Sequence, residues 1–322
     1  MFVASCARVE RYAESVISRS DRIRGGMLGL LVGDALGVPY EFHDAADLPK
    51  IIEMEPPEWF PRAHRSIRPG TWSDDGAQAI ALCASLLDHP RFDAEDFGRR
   101  LVNWLDWGYA AVDDHVFDVG IQTQMAIRNL REGVPALEAG PSEERRNGNG
   151  SLMRVLPVAF FSDDDAELVR IADWQSRVTH GHARSRVSCA LYVLWARRML
   201  DAHDAPWADA VRALRSMIAP GSEEHDALEN HIRPDDPSPG HGSGYVIDTL
   251  RSARACIDAH ARYEDAVRAA IALGDDTDTT AAVVGGIAGL REGVGAIPTR
   301  WMEALRGRDI VDPSIDRVLA MA

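Results

Sequence analysis

Two short acidic stretches, far apart in the chain, carry the residue types that hold hard cations. Gly274-Asp275-Asp276-Thr277-Asp278-Thr279-Thr280 puts three carboxylates and three hydroxyls into seven residues. The small-residue run Ala281–Gly289 follows at once and predicts a tightly packed helix, so the acids sit at or just before a helix start. A few carboxylates are favourable there because the helix dipole offers partial positive charge. Three carboxylates with a hydroxyl between them exceed what capping needs and make an oxygen-rich nest of the kind magnesium, calcium and manganese prefer. For this segment alone an over-decorated N-cap is an equally good account.

The second stretch, Thr71-Trp72-Ser73-Asp74-Asp75-Gly76, repeats the pattern: hydroxyl, adjacent carboxylates, then the helix-like apolar run Ala77–Leu87. Two helix starts of this kind can converge on one cavity floor. Four or five unpaired carboxylates at close quarters repel one another and raise each other's pKa values. One divalent ion offsets only two of those charges, so the expectation is two ions, about 3.5–4 Å apart as in two-metal sites generally.

Further stretches have chemical potential with a plain structural alternative beside each. Asn147-Gly148-Asn149-Gly150-Ser151 precedes the apolar Leu152–Phe160 and forms either a turn or, with a helix beginning at Ser151, an anion nest suited to a diphosphate. Asp118 opens a helix-like segment as an N-cap, or else holds a ligand hydroxyl at the cavity rim. Thr179-His180-Gly181-His182 spaces its histidines wrongly for one helical face, which argues against a zinc pair; His180 is a structural group or a neutral hydrogen-bonding group near phosphate or ribose. Gly244 and Tyr245 leave a Pro/Gly loop, where Tyr245 packs against a sugar or base or anchors the loop.

These residues require elements to position them. Arg22–Pro39 reads as a buried central helix whose Gly25, Gly26, Gly29 and Gly33 are tolerable only if another helix approaches the backbone closely. Asp34 on that helix is expected to be a structural hydrogen-bonding group, and Glu41, just past its end, is free to reach a ligand. Residues 43–70 read as irregular. Helical patterns recur at 76–88, 94–107, 118–131, 164–179, 182–200, 207–218, 245–260, 263–273, 278–290 and 299–306. Val155–Phe161 fits a strand or a short buried helix, and 219–244 is a Pro/Gly-rich loop, either lid or exposed insertion. The expected architecture is all-α: one compact orthogonal helical bundle spanning 1–322, with 1–20 as an N-terminal extension and a dinuclear metal cleft.

At 322 residues with 46% hydrophobic content the chain can bury a sizeable core. A net charge of −15 argues against a nucleic-acid or anionic-membrane surface, so an anionic ligand needs local help from metals, helix ends or individual arginines. Cys6, Cys83, Cys189 and Cys256 lack paired spacing, and no signal peptide or membrane span is evident, so a cytoplasmic location is expected.

In combination the motifs resemble the ADP-ribosylglycohydrolase family. They are Gly33-Asp34-Ala35-Leu36-Gly37 with Glu41, Ser73-Asp74-Asp75, Phe117-Asp118-Val119-Gly120, Gly148-Asn149-Gly150-Ser151-Leu152-Met153-Arg154, Thr179-His180, Gly244-Tyr245-Val246 and Asp276-Thr277-Asp278-Thr279. The resemblance implies two magnesium (or manganese) ions held by Ser73, Asp74, Asp75, Asp276, Asp278 and Thr279. Glu41, Asp75 and Asp276 are the expected catalytic groups. Asp118, Asn149, Gly150, Ser151, His180, Gly244 and Tyr245 are expected against the ligand. The implied reaction hydrolyses the bond between ADP-ribose and a modified protein side chain, with ADP-ribose as product. Gly76 stands where the family usually has threonine and Asp275 where it usually has glycine, which motivates a second reading: a protein of the same fold that binds ADP-ribose without turnover. A third reading, a helical metal-dependent phosphohydrolase, would use His203-Asp204 with His180 and His182.

Overall fold

The computed structural model describes residues 17–236 and 238–321. They form helices α1 (Arg19–Gly37), α2 (Asp74–Asp88), α3 (Ala94–Trp107), α4 (Ile121–Arg131), α5 (Ala136–Ala139), α6 (Asp165–Arg177) and α7 (Ala183–Leu200). After these come α8 (Pro206–Met217), α9 (Glu223–Asp226), α10 (Val246–Ala259), α11 (Tyr263–Ile271), α12 (Thr277–Glu292), α13 (Thr299–Ala304) and α14 (Arg308–Met321). The fold is all-α, and its buried apolar residues form one continuous core from Ile23 to Val318. The first residues, Cys6 among them, and Ala322 lie outside the described part.

Glycine explains how the centre is built. Gly25, Gly29 and Gly33 recur every fourth residue on α1, on one helical face, and meet α12 backbone to backbone. A methyl group at Gly25 would stand 2.3 Å from the Gly289 carbonyl oxygen, at Gly29 2.4 Å from that of Gly285, and at Gly33 2.1 Å from that of Ala281. The order is antiparallel, so the seam carries the C-terminal end of α1 to the N-terminal end of α12. Thr277 Oγ1 closes that junction by donating to the Gly37 carbonyl at 2.8 Å.

Asp34 then brings in the third element. Fully buried on α1, its carboxylate accepts from the backbone N–H groups of Ser73 and Gly76, each at 2.8 Å. This pins the start of α2 beside the start of α12 and the residues just after α1, as the structural reading of Asp34 requires. Gly76 is another close approach: a Cβ there would meet Leu31 Cδ2 at 2.6 Å and Trp72 Cγ at 2.8 Å.

Several expectations change. The segment expected to begin a helix at Asp118 begins one at Ile121, with Gly120 at the cap position. Leu156–Phe160 is a 3₁₀ turn, the buried-helix alternative to a strand. Within 219–244, α9 runs into a π-helical turn, Ala227–Ile232, that buries Leu228 and Ile232 against the core, so this part of the segment is packed structure and not a lid. Helix α14 has no counterpart among the sequence patterns, because Pro313 interrupts its periodicity.

Candidate active site

The three converging ends open into a cavity of about 390 Å³ lined by Glu41, Asp74, Asp118, Asn149, His180, Asp276 and Thr279, among others. A larger cavity, about 670 Å³ at Trp207, Pro234 and Arg254, has its charges already matched, Arg233 to Asp236 and Arg254 to Asp258. The chemistry is concentrated in the smaller one.

At its acidic end, Ser73 caps α2 and donates from Oγ to Asp75 Oδ2 at 3.1 Å, while Thr279 Oγ1 from α12 reaches the same oxygen at 3.3 Å. The two acidic stretches therefore touch. Asp74 accepts from Gln78 Nε2 at 3.0 Å, Asp276 from Asn149 Nδ2 at 2.8 Å, and Asp278 from the Thr279 N–H at 2.8 Å. Asp75 Oδ1 and Asp278 Oδ2 are buried with no hydrogen-bond partner. Such an oxygen costs about 1–3 kcal/mol or more when charged and unmatched. Carboxylate oxygens of Glu41, Asp276 and Asp278 lie within 4.8 Å of one another, and so do ligand atoms of Glu41, His64 and Asp118.

This crowding sets the electrostatics. Burial, then the charges of Asp118, Asp276 and Asp75, push the Glu41 carboxyl up to about 10. Burial and neighbouring carboxylates raise Asp74, Asp75 and Asp278 well above the usual range, and burial raises Asp118 and Asp276. Asp34 rises to about 7, mainly by burial, partly countered by its two backbone donors. A divalent cation held here would offset the crowded negative charge and offer a partner to carboxylate oxygens that lack one. The donor set, carboxylate and hydroxyl oxygens throughout, fits a hard ion.

The opposite end is organised by Arg154, wholly buried, which donates to Gln175 Oε1 at 3.0 Å, Gln78 Oε1 at 2.7 Å and Thr179 Oγ1 at 2.7 Å. Thr179 Oγ1 also lies 2.8 Å from His180 Nδ1, to which it either donates its one proton or offers its second lone pair. Burial and Arg154 push His180 down to about 3, so the imidazole is neutral. Its Nε2 lies beside Gly148 and Gly150 at the cavity wall, where it offers a hydrogen-bonding nitrogen to a ligand.

The Gly148–Ser151 loop differs from the expected nest. Gly148 N–H is taken by Gln122 Oε1 at 2.8 Å and Asn149 N–H by the Gly244 carbonyl at 3.1 Å, which leaves the amides of Gly150 and Ser151. No helix starts at Ser151, so no helix dipole adds to them. The Ser151 hydroxyl is turned into the core, where it accepts from Ser176 Oγ at 2.9 Å. Tyr245, 38% exposed, pairs through its backbone with Gly148, but only its neighbour Gly244 lines the cavity. Asp118 does not cap α4; with φ of 54° it turns its carboxylate toward Glu41 and His64, the rim position offered as the alternative. Asp275 is exposed outside the cavity rather than beside the acidic cluster. His203 pairs with Asp209 at 2.9 Å on the surface and joins no metal-like cluster among the described residues.

Sequence reasoning missed three groups. His64 Nε2 stands 2.6 Å from Glu41 Oε2. Arg145 and Arg146 line the cavity near Gly148 with no carboxylate partner among the described residues, and Arg146 Nε is buried without an acceptor. The only signal for the arginines is their adjacency to the Asn147–Ser151 loop.

A profile of the ADP-ribosylglycohydrolase family matches residues 15–322. The chain is 32% identical over 295 residues to the ADP-ribosylarginine hydrolase Tri1 of Pseudomonas putida (strain GB-1), covering 88% of this chain and 74% of that one. It is 28% identical to the ADP-ribosyl-(dinitrogen reductase) glycohydrolase of Rhodospirillum rubrum, covering 94% and 97%. A solved structure, an ADP-ribosylglycohydrolase-related protein complex, superposes with TM-score 0.77 at 30% identity, covering 95% of this chain and 99% of that one. Among the described residues no helix is long and apolar enough to cross a membrane. The chain belongs to the ADP-ribosylglycohydrolase family of hydrolytic enzymes.

Proposed function

We propose that this cleft hydrolyses the glycosidic bond between ADP-ribose and a modified protein side chain, with two divalent cations, magnesium or manganese, at the acidic end. The observation that carries this is the meeting of α2 and α12 through Asp75 and Thr279, with one orphan carboxylate oxygen on each side, Asp75 Oδ1 and Asp278 Oδ2. Ser73, Asp74, Asp75, Asp276, Asp278 and Thr279 would hold the ions. Bound there, they supply positive charge and Lewis acidity to the ribose hydroxyls and to water.

The chain's own residues do the rest. Gly150 and Ser151 amides, Arg145 and Arg146 bind the diphosphate, and His180 Nε2 hydrogen-bonds to the phosphate or the ribose. Asp118 accepts from a ribose hydroxyl at the rim. Held at both ends, the anomeric carbon is placed against the carboxylates, which lowers the entropic part of the barrier. Cleavage passes through an oxocarbenium-like state that the surrounding carboxylates stabilise. Glu41, buried, held protonated by its surroundings and hydrogen-bonded to His64, gives the proton that the departing side chain gains and takes back the one that the attacking water loses.

Incubation with ADP-ribosylated peptides and magnesium should release ADP-ribose, and a chelator should stop it. Tight ADP-ribose binding by the metal-loaded protein with no release from any linkage would instead support the non-hydrolysing reading. Neither observation behind that reading touches the acidic ligands: Gly76 is packed against Trp72 and Leu31, and Asp275 lies outside the cavity.

A further inference from the structure

One buried cation is joined to both ends of the cleft and lines neither. Arg154 is wholly buried, and each of its hydrogen bonds goes to a neutral oxygen: Gln175 Oε1 at 3.0 Å, the Gln175 carbonyl at 2.9 Å, and Gln78 Oε1 and Thr179 Oγ1 at 2.7 Å. The Phe97 ring packs over it at 5.0 Å. Burial pulls the guanidinium down to about 9, so it is still charged at neutral pH. A buried charge without a paired anion is costly, and neutral partners offset only part of that cost. Replacing a whole cluster of this kind with apolar side chains is often neutral for a core, so packing alone does not account for it.

What Arg154 dictates is the direction of its partners. A guanidinium has donors and no acceptor, so every group that hydrogen-bonds to it presents oxygen. The Gln78 amide therefore turns Oε1 to Arg154 and its NH2 to the other side, where it donates to Asp74 Oδ2 at 3.0 Å. Gln78 stands one turn beyond Asp74 on the same face of α2. With Oδ2 so occupied, the Asp74 carboxylate at the cavity wall is fixed in one orientation, its Oδ1 left for a cation. Without the arginine the amide is free to flip and set its oxygen against the carboxylate.

A second arm runs to the opposite end. Arg154 occupies one lone pair of Thr179 Oγ1, which lies 2.8 Å from His180 Nδ1, and so anchors the imidazole whose Nε2 stands at the cavity wall. Gln78, Gln175 and Thr179 are completely buried, so bulk water does not compete for these bonds. The two arms share no atom except those of Arg154.

We propose that Arg154 is a positioning residue for both ends of the cleft: it aims Asp74 at a divalent cation through Gln78 and holds His180 toward the ligand through Thr179. This rests on the reading of the cleft as a metal-dependent hydrolase of ADP-ribosyl linkages. Arg154 touches neither ion nor ligand, and its effect divides along the two arms.

The test uses the full chain and two probes, manganese alone and ADP-ribose at saturating manganese, each titrated calorimetrically against wild type, Gln78→Met, Thr179→Val and Arg154→Met. Gln78→Met should weaken manganese at least about tenfold, as removal of an outer-shell partner does, and leave ADP-ribose within about twofold. Thr179→Val should weaken ADP-ribose about fivefold, the worth of one hydrogen bond, and leave manganese within about twofold. Arg154→Met should weaken both. Adding Arg154→Met to Gln78→Met should cost little further manganese affinity, because two changes on one arm are not additive. If Arg154→Met does not fold, the two single-arm variants decide the matter. Wild-type manganese affinity in Gln78→Met, equal losses of both probes in either single-arm variant, or fully additive losses in the double variant would overturn the assignment, while the hydrolase reading stands. A wild-type chain that binds neither manganese nor ADP-ribose removes that reading, and this assignment with it.

Discussion

The two ends of the cleft are built on opposite principles. At one end, carboxylates from α2, from α12 and from the turn beyond α1 are buried together with too few donors, so that Asp75 Oδ1 and Asp278 Oδ2 have no partner. At the other, a neutral imidazole, two free amides and the arginines Arg145 and Arg146 face the same space without an acid among them. One end lacks cations and the other lacks an anion. A ligand with a diphosphate at one end and a sugar bearing hydroxyls at the other, bridged to divalent ions, satisfies both, and neither end explains the ligand by itself.

The contrast can be broken most severely at the acidic end. Asp75→Asn or Asp278→Asn should lower kcat/KM at least about a hundredfold, since even outer-shell partners of metal ligands are worth ten- to a hundredfold. Steady-state release of ADP-ribose from a modified peptide measures it, and a loss under tenfold would show that the acids are not the reaction centre. The frame that assembles this end is the next target. Gly29→Ala forces a methyl group to within 2.4 Å of a backbone carbonyl that no side-chain rotation can relieve, so it should destabilise the fold by about 3 kcal/mol, read by chemical denaturation.

At the basic end the effect should be smaller and of a different kind. Arg146→Ala should raise KM about tenfold with kcat nearly unchanged, as expected for a charge-assisted contact made equally in the ground and transition states. Wild-type KM should also rise with salt more steeply than the variant's.

The smallest effect sharpens the comparison through pH. The carboxyls of the acidic end have folded pKa values raised above their unfolded values near 4, up to about 10 for Glu41. The folded chain therefore retains protons that the unfolded chain has lost, and without divalent ions stability falls as pH rises from about 4 through that range. The thermal stabilisation produced by magnesium or manganese should accordingly be larger at pH 8 than at pH 5. Equal stabilisation at both would mean that the ions do not bind these carboxylates.

Much of this is legible in the sequence, for identifiable reasons. Adjacent acids before a small-residue run mark a helix start wherever it lies, so Ser73–Asp75 and Asp276–Thr279 can be paired from the chain alone. The glycines of α1 announce a close neighbour, and α12, with Gly285 and Gly289, is that neighbour. What cannot be read is whatever depends on long-range register. His64 reaches Glu41 only because the irregular segment 43–70 folds back over it, a path with no periodic signal. Arg145 and Arg146 are ordinary surface residues in sequence and come to line the cavity only when the loop at Gly148 docks on Gly244. Ser151 and Tyr245 match a motif, yet side-chain direction at a turn is set by packing, which sends the Ser151 hydroxyl into the core toward Ser176 and leaves Tyr245 outside the cavity.

The central claim is that α2 and α12 together grip a pair of cations. Titration with manganese, followed by electron paramagnetic resonance, tests it directly. Two ions per chain with a spin-coupled signal, which Asp278→Asn converts to weaker, uncoupled binding, is the predicted result. One or no ion per chain, or stoichiometry and coupling indifferent to Asp278→Asn, would contradict it.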